Sequence, residues 1–269
     1  MPTCPHVHMW RCMLVHMHTI AVVNQKGGVG KTATTLGIAS SIRHSSGKVL
    51  VIDMDPQANA TSGLGVSVDA DTLTVGDAMA AGTPGVAADA IVASSWGSGV
   101  VCIPADVHLA EREQETGTKG HEFRLRRSLE GVDGYQLALI DCQPSLGELV
   151  TNAMVAADFV LIVTEADVDS LLGITNVMET VDAIRQYYNP RLQVAGIVVN
   201  NLDTRAAEQK YRLGELQDAY GPLVWDPYLP HRTRIADAKG ASAPIHDYGY
   251  RSKDLAAIFD GIATRLTNL

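Results

Sequence analysis

The sequence predicts an α/β chain folded as a doubly wound, mostly parallel sheet of about seven strands with helices on both faces. Three observations carry that expectation. Short apolar, β-branched runs at 19–24, 48–53, 136–141, 159–163 and 192–200 alternate with stretches of helical periodicity, the pattern of strands buried on both faces. Four of these runs end in Asn24, Asp53, Asp141 or Asn200, polar groups placed where an open parallel sheet binds its ligands. A glycine-rich loop joins the first run to the first helical stretch. With 269 residues, 46% of them hydrophobic, the chain buries a sizeable core as a single domain over 19–269.

Residues 1–18 hold four of the nine histidines, two of the four cysteines and four of the eight methionines. Their spacing matches no zinc template, so a flexible N-terminal extension is expected and not a metal tract. The cysteines, at 4, 12, 102 and 142, form neither a metal set nor a disulfide framework, which suits a reducing compartment. No apolar run is long enough to span a bilayer and none has a signal-peptide layout, so a cytoplasmic protein is expected. A net charge of −9 argues against wholesale coating of nucleic acid and leaves a local basic face open.

After the first strand comes Gln25-Lys26-Gly27-Gly28-Val29-Gly30-Lys31-Thr32, followed by helical spacing through Leu36, Ile38, Ala39 and Ile42. This reads as a phosphate-binding loop. Its glycines let consecutive N–H groups turn inward onto phosphate oxygens, backed by the positive end of the following helix. Loop residues Lys26, Gly27, Gly28, Val29 and Gly30, with Lys31, Thr32 and Ala33 at the helix start, are the expected nucleotide contacts. Lys31 would reach the terminal phosphates and the Thr32 hydroxyl would ligate Mg²⁺. A plain strand-to-helix turn would not need a Lys-Thr pair in this order.

The second strand ends in Asp53, and Asp55 follows two residues later. On an extended segment the two carboxylates point to one side, so one can orient an attacking water while the other supports the Mg²⁺ shell. Residues 62–98, rich in Gly, Ala and Ser, carry short helical patterns near 75–81 and 86–93 and no evident chemistry. A short strand at 99–104 and charged surface helices at 106–114 and 122–129 follow, the cluster Arg124, Arg126, Arg127 reading as a solvated face. The strand at 136–141 ends in Asp141, the arrangement in which a carboxylate holds a Mg²⁺-bound water. Beyond it lie the strand at 159–163, a long helix over 170–188, the strand at 192–200, and a final helix over 253–266 with Leu255, Ile258, Ile262 and Leu266 on one face.

The loop with its extra lysine, Lys26, resembles the deviant Walker A signature of ParA/MinD-class P-loop ATPases. Asp53 to Thr61 resembles the family's switch I segment, which makes Asp55 the catalytic candidate beside Lys26 and Lys31, with Thr32, Asp53 and Asp141 as the metal set. Asp141-Cys142-Gln143-Pro144-Ser145 resembles switch II, except that Gln143 stands where a first proline is usual, a departure expected to loosen the loop. Asn200-Asn201-Leu202-Asp203 superficially matches a GTPase base-reading motif. The resemblance instead places Asn200 near adenine, with ATP as the nucleotide and GTP as the minor alternative. Leu229 to Ala238 partly matches the segment in which the family's proline touches the base, implying a cofactor contact for Pro230. Basic residues of 205–239, six against five acidic, then supply nonspecific DNA contacts: Arg232 and Arg234 first, with Lys210, Arg212 and Lys239 behind them.

The resemblance spans 19–266. It implies ATP and Mg²⁺ as cofactors, an ATP-state homodimer in which Lys26 reaches the partner's nucleotide, nonspecific double-stranded DNA, and a ParB-like partner that stimulates hydrolysis, hence a nucleoid-associated partition ATPase. Only 18 residues precede the first strand, which disfavours an N-terminal helix-turn-helix domain and operator-specific repression. The alternative is a MinD-like ATPase that positions a complex on a membrane or another surface. No membrane partner is expected, because the final helix lacks the basic residues of a membrane-targeting tail. A metabolic P-loop enzyme is disfavoured for want of a second substrate motif.

Overall fold

The structure is a computed structural model that describes residues 17–115, 117, 119–231, 233–249 and 252–269, without the side chains of 233–236. In chain order its elements are β1 (His18–Val23), α1 (Lys31–His44), β2 (Val49–Met54), α2 (Asn59–Gly63), α3 (Val75–Ala81), β3 (Val92–Ala93), β4 (Val100–Ile103), α4 (Leu109–Arg112), α5 (Arg124–Ser128), β5 (Leu137–Cys142), α6 (Glu148–Ala156), β6 (Phe159–Glu165), α7 (Ser170–Tyr187), β7 (Gln193–Asn200), α8 (Ala207–Tyr220), β8 (Val224–Trp225), α9 (Thr233–Gly240) and α10 (Lys253–Thr267). The described strands form one eight-stranded sheet in the order β3-β4-β2-β5-β1-β6-β7-β8. Every neighbouring pair is parallel except β3 with β4.

The strands read as continuous apolar runs because both faces are covered. Along β1, Ile20 and Val22 enter the core shared with Ile38, Phe259 and Leu266 of α1 and α10, whereas Ala21 and Val23 enter the opposite core with Met79, Leu149 and Ile174. The period of two therefore divides one strand between two helical layers. Because β1 lies between β5 and β6, the loop at its carboxyl end opens at the centre of the sheet edge. In register, Val22 pairs with Asp141 and Asp53 pairs with Asp141, so the ends of β1, β2 and β5 converge.

Four expectations need correction. His18, placed in the extension, is the first residue of β1 and pairs with Leu137; residues 1–16 lie outside the described residues. The helical pattern over 86–93 resolves into a 3₁₀ turn, Val86–Ala90, and the edge strand β3, because Val92 and Ala93 pair antiparallel with β4. The charged helix over 106–114 shortens to α4, and β8 was not foreseen because two residues leave no periodicity to read. The predicted helix at 75–81 forms with a complete capping box, Thr74 and Asp77 each bonding the other's backbone N–H, which satisfies two donors at that helix start.

Candidate functional site: a phosphate-loop nucleotide cleft

At the carboxyl end of β1 the chain turns sharply, with Gly28 at φ +79° and Gly30 at φ +94°. A Cβ on Gly30 would stand 2.1 Å from Asn200 Nδ2, so both the left-handed backbone and the close approach demand glycine there. Asn200, at the end of β7, donates to the Val29 carbonyl at 2.9 Å. From the other side Asn24 Nδ2 donates to the Val163 carbonyl at 2.7 Å, while its Oδ1 accepts the Lys26 N–H at 2.9 Å. Two asparagines at strand ends thus fix the loop to the sheet. Asn200 holds Val29, and its side chain also lines the cleft.

The loop frames a cleft of about 500 Å³. Of the residues expected to touch nucleotide, Gly28, Gly30, Lys31, Thr32, Ala33, Asn200 and Pro230 line it. Gly27 is exposed and Val29 is buried beneath the loop, so those two contribute backbone and packing. Lys31, buried at the start of α1, folds over the loop and donates from Nζ to the Asn24 carbonyl at 3.1 Å and the Lys26 carbonyl at 3.0 Å. Burial lowers its pKa while the charge of Asp141 opposes that shift. An anion in the cleft would offer this ammonium stronger partners than two carbonyls.

Three carboxylates stand at the converging strand ends and differ in environment. Asp55 lines the cleft and accepts the Gln57 N–H at 2.9 Å. Asp53 is fully buried; its oxygens accept Thr61 N–H at 2.8 Å, Thr61 Oγ1 at 2.7 Å and Asp55 N–H at 3.2 Å. Neither Asp53 nor Asp141 borders the cleft directly; Asp53's oxygens are taken by Thr61 and the Asp55 N–H, which anchors α2 beneath Asp55. Asp141 Oδ1 accepts from Thr35 Oγ1 at 2.9 Å, the Thr32 hydroxyl also faces this carboxylate, and Oδ2 is buried without a hydrogen-bond partner. Burial, and then the neighbouring Asp53, hold Asp141 well above the usual carboxylate range. A buried, half-satisfied carboxylate beside a threonine at a phosphate loop fits an oxygen-coordinated divalent cation or its bound water.

Lys26 departs from the cleft. Its ammonium pairs with Asp167 on the surface, the two side chains 42% and 31% exposed, and that hydrogen bond raises its pKa. Beside it lie the exposed Val168 and Leu172.

Of the residues expected to face DNA, three have described side chains: Lys210, Arg212 and Lys239. Arg212 is held by Glu208 at 2.8 Å and Glu215 at 2.9 Å on its own helix. Lys239 lines the nucleotide cleft and donates to Asn59 Oδ1 at 2.8 Å. Lys210 is exposed on α8; Arg232 and the Arg234 side chain lie outside the described residues. Gln143 does not loosen its loop: its amide donates to Glu113 Oε2 at 2.9 Å and Ser145 Oγ at 3.0 Å. Asp203 is bound by Arg205 through Nε and Nη2, each at 2.9 Å, and does not line the cleft, whereas Asn200 and Asn201 do. Sequence reasoning passed over Gln57, Asn59 and Glu165, which line the cleft. Gln57 and Asn59 stand in the quoted switch I run, and that adjacency was the available signal.

A glycine-turned phosphate loop at the central strand, with Lys31, Thr32 and two converging acidic strand ends, defines a P-loop nucleotide-binding protein. A family model described as an AAA domain matches residues 17–194. The chain is 35% identical over 233 residues to the chromosome partitioning protein ParA of Caulobacter vibrioides, covering 85% of this chain and 86% of that one. It is 32% identical over 243 residues to the sporulation initiation inhibitor protein Soj of Bacillus subtilis, covering 90% and 95%. Among solved structures, cobyrinic acid a,c-diamide synthase from Mycobacterium smegmatis, with bound ADP and magnesium, superposes with a TM-score of 0.74 at 28% identity, covering 84% of this chain and 93% of that one. The chain belongs to the ParA/Soj family of P-loop partition ATPases.

Proposed function

We propose that this chain is a Mg²⁺-dependent ATPase of DNA partition, which pairs on ATP, holds DNA without sequence preference, and lets go when a ParB-like partner stimulates hydrolysis. The observation that carries the reading is the division of labour between two lysines five residues apart. Lys31 folds into its own cleft, whereas Lys26 leaves that cleft for an exposed acidic partner. A loop lysine that does not serve its own cleft is free to serve another subunit's. The chromosome-partitioning relative supports the biological role, and the ADP and magnesium in the mycobacterial structure support the cofactors.

In this reading Lys31 and the loop N–H groups hold the terminal phosphates. Thr32 and Asp141 would hold a magnesium ion, which would supply positive charge against the phosphates. Asp55 orients the attacking water, with the Gln57 N–H fixing its carboxylate and Asp53 fixing the segment beneath it. Asn200 keeps Val29, and so the loop, in register.

Lys26→Ala tests the reading in an Asp55→Ala background that traps the ATP state. The double variant should bind ATP with unchanged affinity yet remain monomeric by light scattering, whereas Asp55→Ala alone should dimerise. A dimer that persists without Lys26 would return that lysine to its own subunit.

A further inference from the structure

We infer that Glu113 is a positioning residue for the loop 143–147, joining the segment after β4 to the phosphate end of the nucleotide cleft; the inference about turnover rests on the ATPase reading above. Helix α6 has no local cap, because its N-cap residue is Gly147. Its Leu149 N–H donates instead to Glu113 Oε2 at 2.9 Å, a carboxylate brought from 36 residues earlier in the chain. The same oxygen accepts the Gln143 amide at 2.9 Å, and that amide also donates to Ser145 Oγ at 3.0 Å, which in turn accepts the Gly147 N–H at 3.3 Å. One carboxylate oxygen therefore closes both ends of the loop. Charge favours this site, since an anion at a helix N-terminus is stabilised by the unsatisfied N–H groups there.

The fit is close: a Cβ on Gly147 would lie 1.8 Å from Glu113 Oε1, so glycine makes room for the carboxylate. Glu113 also rests on a braced platform. Arg112 pairs with Glu115 at 2.6 Å, and Glu115 pairs in turn with Arg124 of α5. The loop it closes begins two residues after Asp141, and the next residue after Gln143, Pro144, lines the nucleotide cleft. Moving the Glu113 carboxylate would move Pro144 and the backbone that follows Asp141. Capping of α6 alone would involve Leu149 and leave Gln143 without a part, and this separates the two roles.

The test uses the full chain and four variants, Glu113→Ala, Gln143→Ala, the double variant, and Glu113→Gln. Glu113→Ala and Gln143→Ala should each cut kcat for ATP about tenfold, the cost of one lost hydrogen bond to a charged group, with KM within about twofold of wild type. The double variant should be no slower than the slower single one, because both break one connection. Glu113→Gln keeps a carbonyl oxygen in place and should restore kcat to within about threefold of wild type. Without nucleotide, amide exchange over 143–149 should quicken in both single variants. Additive losses in kcat, a fall in Tm with kcat unchanged, or unaltered exchange in Gln143→Ala would overturn the inference. If the wild-type chain does not hydrolyse ATP, the functional reading fails, while the nucleotide-free exchange comparison still decides whether Glu113 holds the loop.

Discussion

The nucleotide cleft and the basic stretch at 205–239 differ in what fixes the side chains each was expected to use. In the cleft the deciding constraint is backbone geometry. Gly30 at φ +94° beneath Asn200, and strand ends fixed by register, leave Lys31, Thr32 and Asp55 little choice of position. In the basic stretch the deciding constraint is side-chain pairing, which long flexible arginines and lysines settle with whichever carboxylate the fold brings near. Arg212 finds Glu208 and Glu215 on its own helix, and Lys239 turns inward to Asn59. A motif that specifies backbone conformation transfers from sequence to structure. A composition that specifies only charge leaves each side chain's placement to its neighbours.

The contrast breaks most directly at Lys31. Lys31→Ala removes a buried ammonium whose charge-assisted contacts to phosphate are worth about 1.5–3 kcal/mol each, so titration with a fluorescent ATP analogue should show affinity lost by more than about a hundredfold. Near-native affinity would detach the cleft from nucleotide binding altogether. Asp55→Ala should bind the analogue as wild type does while hydrolysis drops by about a hundredfold or more, because a positioned carboxylate acts on the water and not on the phosphate anchor. Wild-type turnover in that variant would mean that another group orients the water.

Lys239 sharpens the comparison, since the two regions claim it differently. Placed in the cleft, it should cost about tenfold in ATP affinity on mutation to Ala, the size of one charge-assisted contact, and that loss should appear with no DNA present. Unchanged ATP affinity, with weaker DNA binding, would return Lys239 to the basic stretch. The smallest effect is expected at Arg212. Its two pairs are local to one helix and solvent-screened, so Arg212→Ala should shift Tm by only a few degrees at most and leave DNA affinity unchanged within about twofold. A larger loss of DNA binding would show that Glu208 and Glu215 release this guanidinium to phosphate.

Much of the fold was readable from periodicity alone, because strands covered on both faces are written as unbroken apolar runs. What escaped were features without local periodicity or without a local partner. β3 and β8 are two residues each and exist only through their neighbours β4 and β7. Asp53 looked like a metal ligand by its place at a strand end. No local pattern shows that Thr61, eight residues on, turns back to bond it. Gln143 looked like a loosened loop because a proline was missing, and the compensating carboxylate, Glu113, lies 30 residues away. Lys26 was singled out correctly as unusual, but no local pattern could show that Asp167 would hold it outside the cleft.

In the proposed function ATP turns an acidic chain, of net charge −9, into a DNA-binding one by pairing two copies, which would double the few phosphate contacts each subunit can make and add avidity. The direct measurement is retardation of a random-sequence duplex at low salt by the Asp55→Ala protein, with ATP and with ADP. The account predicts retardation with ATP only, little changed by DNA sequence and lost steeply as salt rises. No retardation by an ATP-bound dimer, or equal retardation with ADP, would contradict it.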